Sequence, residues 1–167
     1  MKLIDLLFIA NYLVIVFVSK MLLAGIPNVQ ITFLLMLLFI VNFKFQKYWI
    51  FLISFVILEF LVWGYFTLIF PALFVWLMLY MLYKLFNSNS INSLITIAVL
   101  FTPIHALTYA VHDIVLGHIG WEGLVGYLIA GIPFAIVFLA SSILSVIWLF
   151  DPLNKLIQKE KEVWKEK

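Results

Sequence analysis

The sequence predicts an all-α protein: an integral membrane bundle of six transmembrane helices with both the N- and C-termini cytoplasmic. Three observations carry that expectation. Of 167 residues, 66% are hydrophobic and only 11% charged, with a mean hydropathy of +1.21. A soluble domain of this composition would expose too much apolar surface to water. Residues 123–150 hold no charged side chain. At ~1.5 Å per residue a helix over that stretch reaches roughly 42 Å, enough to cross a ~30 Å hydrocarbon core. The third observation is the distribution of lysine. With the N-terminus inside, nine of the ten lysines fall in cytoplasmic segments: residues 1–2, the 44–47 step, the 84–93 loop and the tail from residue 151. The outer loops near 25–30, 64–70 and 114–122 hold none, as the positive-inside rule requires. The length suits one domain, 1–167, with no room for a second.

The elements follow in order. A first apolar run covers about 3–24; it is longer than a signal-peptide core and is expected to remain as a helix. Gly25-Ile26-Pro27-Asn28 breaks it. A second, short helix runs over about 31–43 and ends at the Lys44–Lys47 step. A third covers about 48–65 and a fourth about 67–86, with a tight turn between them around Gly64. The Asn- and Ser-rich stretch 87–93 is the clearly polar loop. A fifth helix runs over about 94–116 with Pro103 as an expected kink. The sixth, about 122–150, is entered through Trp121-Glu122 and left through Asp151-Pro152. Gly131, Ala135, Ser142 and Ser145 line one side of it, and small residues in lipid let a second backbone approach. Beyond it, the cytoplasmic tail 151–167 is expected to be a short charged amphipathic helix.

The residue inventory excludes several chemistries. There is no cysteine, so disulfides, thiolate metal sites and cysteine nucleophiles are absent. There is no arginine, so no bidentate guanidinium clamp for carboxylate or phosphate. No G-x-x-x-x-G-K-[ST] occurs, and neither H-E-x-x-H nor a serine elbow. No cofactor, bound metal or nucleic-acid partner is expected.

Ionisable residues inside spans are costly and are candidates for function. Lys20 and Glu59 fall roughly 6–8 Å below the outer interface, at matching depth on the first and third helices, and are expected to pair or share a ligand. The fifth helix carries His105, Tyr109 and His112 on one face by i, i+4, i+7 spacing, with Asp113 adjacent. Trp121 and Glu122 begin the sixth helix and Tyr127 lies one turn further in. Polar and aromatic groups thus gather in the outer half, a pattern suited to an outward-opening pocket that stacks a small aromatic or heterocyclic compound. Trp63 lies at the same level; an interfacial aromatic belt is its alternative use. His118 is expected to be a plain surface residue.

Two stretches carry a family resemblance. Gly25-Ile26-Pro27-Asn28-Val29-Gln30-Ile31-Thr32 resembles the first outer loop of the substrate-binding S components of energy-coupling factor (ECF) transporters. Tyr127-Leu128-Ile129-Ala130-Gly131-Ile132-Pro133-Phe134, continuing to Asp151-Pro152-Leu153-Asn154-Lys155-Leu156, resembles their last helix. Where that helix often carries an acidic residue, a histidine and an asparagine, this chain has Ala135, Phe138 and Ser142. The resemblance implies a receptor for a vitamin or similar micronutrient in a prokaryotic plasma membrane. It implies a transmembrane coupling subunit and two ATPase subunits as partners, and a first outer loop acting as a lid. On that reading Asn28 and Gln30 are lid contacts. Trp63, His105, Tyr109, His112, Asp113, Glu122 and Tyr127 line the site, and Lys20 and Glu59 answer a charged substituent. The expected function is therefore substrate binding for an ECF-type importer rather than catalysis. The alternatives are an intramembrane enzyme using the histidine–carboxylate cluster, and a small structural subunit.

Overall fold

The structure, a computed structural model, describes residues 3–26, 28–29 and 31–165. It is 88% helical, with no strand among the described residues. The helices are α1 (Leu3–Leu23), α2 (Thr32–Asn42), α3 (Phe45–Trp63), α4 (Ile69–Phe86), α5 (Ile91–Val115) and α6 (Leu124–Lys165), with single 3-10 turns at Phe66–Leu68 and Trp121–Gly123. Five spans are long and apolar enough to cross a membrane: α1, α3, α5, and α4 and α6 each together with the turn before it. The chain is a multi-pass, all-α membrane bundle.

The short helix α2 is its hub. The sequence Thr-Phe-Leu-Leu-Met-Leu-Leu-Phe-Ile is apolar on every side after the first residue, and a helix apolar all round is stable only when enclosed. All nine residues from Thr32 to Ile40 are buried, and α1, α3, α4 and α6 pack against them. Eleven residues rise only ~16 Å, about half a hydrocarbon core. Asn28 and Val29, between α1 and α2, are not helical. There the Asn28 carbonyl lies 3.4 Å from Ser141 Oγ, whose hydroxyl donates to the Phe138 carbonyl at 2.9 Å; Ser141 is roughly 25 Å along α6 from its start. Irregular backbone at such depth is tolerated where protein encloses it or where it borders a cavity.

Aromatic rings fill the centre. Phe39 and Phe51 stack at 4.4 Å, Tyr12 meets both edge-on, and Phe55, Trp76 and Phe101 continue the chain of contacts toward α5. The buried phenols are pinned to backbone carbonyls: Tyr12 donates to Leu35 and Tyr48 to Trp76, both at 2.7 Å. Such bonds are what make a phenol tolerable in an apolar interior.

The helix ends follow local chemistry. Gly64 closes α3 at φ 74°, and Asn87 closes α4 at φ 44°; the left-handed region suits glycine and, among other residues, asparagine. Ser90 caps α5 by accepting from the Ser93 amide, so the helix begins at Ile91 and the polar loop is shorter than composition suggested. Pro103 sits inside an unbroken α5.

The main departure from expectation is at Asp151-Pro152. In place of a helix ending near residue 150 and a separate tail, α6 is one helix of 42 residues through both Pro133 and Pro152. Proline costs a helical hydrogen bond, but tertiary contacts hold the extension against the end of α2. Asn42 Nδ2 donates to Asn154 Oδ1 at 2.7 Å, and Lys161 Nζ donates to the Asn42 carbonyl at 2.6 Å and lies over the Phe43 ring. Together with the Lys47–Asp5 ion pair at 2.6 Å, these contacts tie the lysine-rich ends of α1, α2, α3 and α6.

Candidate functional site

At the opposite, lysine-poor end the structure brings the candidate residues to two adjoining cavities rather than one pocket. The larger, of about 690 Å³, lies between α5 and α6 beside the re-entrant connection. Thr102, His105 and Tyr109 contribute from α5, Tyr127, Gly131 and Phe138 from α6, and Asn28 from the connection. The smaller, of about 260 Å³, lies among α1, α3, α4 and α5 and is bordered by Lys20, Glu59, Trp63, Tyr65 and Tyr109. Tyr109 borders both, so one phenol ring forms part of the partition.

The wall of the large cavity is a stack. The His105 ring lies 5.1 Å from Phe138 at an interplanar angle of 24°, 4.9 Å from Tyr109, and 6.0 Å from Phe101. Helical spacing sets this up: four residues separate His105 from both Phe101 and Tyr109, one turn on either side. On α6, Tyr127, Gly131, Phe134 and Phe138 recur at i, i+4, i+7, i+11 and border the cavity along one face. A Cβ built on Gly131 meets nothing within 4 Å, so that glycine borders open space. Cavities of this size and apolar character are typical for small organic ligands.

In the small cavity Lys20 donates to Glu59 Oε1, and the Lys20 ammonium lies 5.7 Å from the Phe55 ring centroid. The two retain 30% and 15% of their side-chain exposure. The matched depth on α1 and α3 thus becomes a direct ion pair.

The remaining candidates form a cluster at the rim. Tyr127 Oη donates to Asp113 Oδ2 at 2.9 Å, while His112 Nδ1 approaches Asp113 Oδ1 at 3.2 Å. His112 borders neither cavity: its ring is turned to Asp113 and its Nε2 is buried without a hydrogen-bond partner. His105 and Tyr109 thus border the larger cavity, and His112, expected beside them, lies outside both. Asp113 likewise borders neither cavity; its link to the larger one is the bond it accepts from Tyr127. His118, expected to be a plain surface side chain, has Nδ1 3.5 Å from the same Asp113 carboxylate, and its amide donates to the Asp113 carbonyl at 2.9 Å. Glu122 is exposed in the 3-10 turn, with its carboxyl folded over Gly120, and lines neither cavity. Gln30 lies outside the described residues. No group of three or more His, Asp or Glu side chains placed to hold one metal ion occurs among the described residues.

Thr102, Gly131, Ala135 and Phe138 were not singled out as site residues from the sequence. The signal for three of them lay in the spacing on the sixth helix, where the small-residue stripe was assigned to helix packing. The structure divides that stripe: Gly131 and Ala135 border the cavity, whereas Ser142 is fully buried and Ser145 donates to its carbonyl at 2.9 Å. Compared with protein-family models, curated proteins and solved structures, the chain matches none.

Proposed function

We propose that this chain is the membrane-embedded substrate-binding subunit of an ECF-type importer. It captures a small vitamin-like compound at the lysine-poor face, which lies outward in a prokaryotic plasma membrane. It passes the compound inward with energy from partner ATPases through a transmembrane coupling subunit. The observation that carries this reading is the 690 Å³ cavity between α5 and α6, walled by the His105–Phe138 stack and bordered by Asn28 of the re-entrant connection. Such a wall favours a planar ring, which gains by offset stacking in addition to area burial. Asn28, Thr102, His105 and Tyr127 supply the few polar groups that orient it. Asn28 is the lid contact of this reading. The chain carries no nucleotide-binding loop, so the energy for transport comes from other subunits.

The test is mass spectrometry of small molecules released on denaturing the detergent-purified protein from cells grown in rich medium. A stoichiometric planar compound, absent from a mock purification, is the expected result. An empty protein whose thermal unfolding also fails to respond to a panel of vitamins contradicts the proposal.

A further inference from the structure

The small cavity holds an arrangement that an ion pair serving only to stabilise the fold does not need. Charges inside a span are expensive, and two opposite charges in contact reduce that cost by neutralising each other. A pair sealed in protein is closed to a ligand. Lys20 and Glu59 are instead partly open, and both border the same 260 Å³ void. The Lys47–Asp5 pair at the other end of the bundle borders neither cavity. Beside the open pair lie the aromatic side chains Phe60, Trp63, Tyr65 and Tyr109. The cavity, of about 260 Å³, has room for a compound of a few heavy atoms.

We propose that this cavity binds a small zwitterion carrying one ammonium and one carboxylate a few bonds apart. On insertion, the ligand carboxylate takes the Lys20 ammonium and the ligand ammonium takes the Glu59 carboxylate. Each protein charge exchanges one partner for another, so no charge is left unpaired and the net charge of the cavity does not change. A simple anion satisfies Lys20 but strands Glu59, and a simple cation does the reverse. In a low-dielectric site a stranded charge is heavily penalised, so the pair selects for both charges together. Trp63 and Tyr65 border the cavity, and an aromatic ring attracts an ammonium placed over its face. The site is separate from the α5–α6 cavity, across Tyr109, and does not depend on the function proposed for that cavity.

The test is thermal unfolding of the purified full chain in detergent with millimolar glycine, β-alanine or γ-aminobutyrate, against acetate and methylammonium as single-charge controls. At least one zwitterion raises the midpoint, and neither control does. That response persists in Gly131→Leu, whose side chain protrudes into the large cavity, and disappears in Glu59→Gln. Should Glu59→Gln not fold, the exchange Lys20→Glu with Glu59→Lys retains both charges and the response. Three results each overturn the proposal: no zwitterion moves the wild-type midpoint, a single-charge control moves it equally, or the response survives Glu59→Gln but is lost in Gly131→Leu.

Discussion

The two ends of the bundle use polar residues in opposite ways. At the lysine-rich end, Asp5 pairs with Lys47, Asn42 with Asn154, and Lys161 with the Asn42 carbonyl, each closing a seam between helices. At the lysine-poor end, Lys20, Glu59, His105, Tyr109 and Tyr127 all border empty volume. Residue type does not separate the two groups, since both contain ion pairs and hydrogen-bonded side chains. Space does: a polar group in a membrane bundle becomes a candidate for ligand contact when a cavity lies beside it.

The comparison is sharpened by substitutions that damage one end and spare the other. The largest effect is expected from Phe39→Ala, because Phe39 is fully buried in α2 among Tyr12, Phe43, Tyr48 and Phe51. It should cost about 3–5 kcal/mol in reversible unfolding from mixed micelles, while leaving ligand occupancy per folded molecule unchanged. Next comes Lys20→Met, which strands Glu59 in the small cavity and should cost about 3 kcal/mol. Adding Glu59→Leu should recover most of that loss, since an apolar pair replaces an ion pair at little net cost. If the double variant is no more stable than the single one, the Lys20–Glu59 contact is not the pair described here. Asn154→Ala removes a single bond at the closed end and should cost about 1 kcal/mol with no change in ligand occupancy. Its partner Asn42 keeps a second acceptor, the Leu38 carbonyl at 3.0 Å. The smallest effect is Tyr127→Phe: on an exposed rim residue, loss of the bond to Asp113 should cost about 0.5 kcal/mol, yet weaken ligand binding measurably.

Much of the fold was legible in the sequence because lipid imposes few solutions: long uncharged runs must be helices, and lysines mark one face. Two features were not. The half-length of α2 was visible, but its position as the enclosed hub depends on four neighbouring helices that no local pattern reveals. The passage of α6 through Asp151-Pro152 runs against the local signal, which is that of a helix end, and is held by Asn42 and Phe43 more than a hundred residues away in the chain. The site was legible in parts. The depth of Lys20 and Glu59 follows from counting residues, and the His105–Tyr109 face from helical period. What could not be read was the rotation of α5 against α6. That rotation sets Phe138 on His105 and makes Tyr109 a wall between two voids rather than one side of a single pocket; the turn of His112 toward its neighbour Asp113 is a rotamer choice that sequence spacing does not show.

The central claim is that the α5–α6 cavity is where this protein holds its substrate. Gly131→Leu tests it most directly, because Gly131 borders the cavity and a Cβ there meets no neighbouring atom within 4 Å. The quantity to measure is the amount of copurified compound per mole of protein, in wild type and in the variant, with unfolding midpoints alongside. The account predicts that occupancy falls at least tenfold, about 1.4 kcal/mol of binding free energy, while the midpoint of the ligand-free protein stays within a few degrees. Undiminished occupancy in a folded Gly131→Leu would place the substrate elsewhere and contradict it.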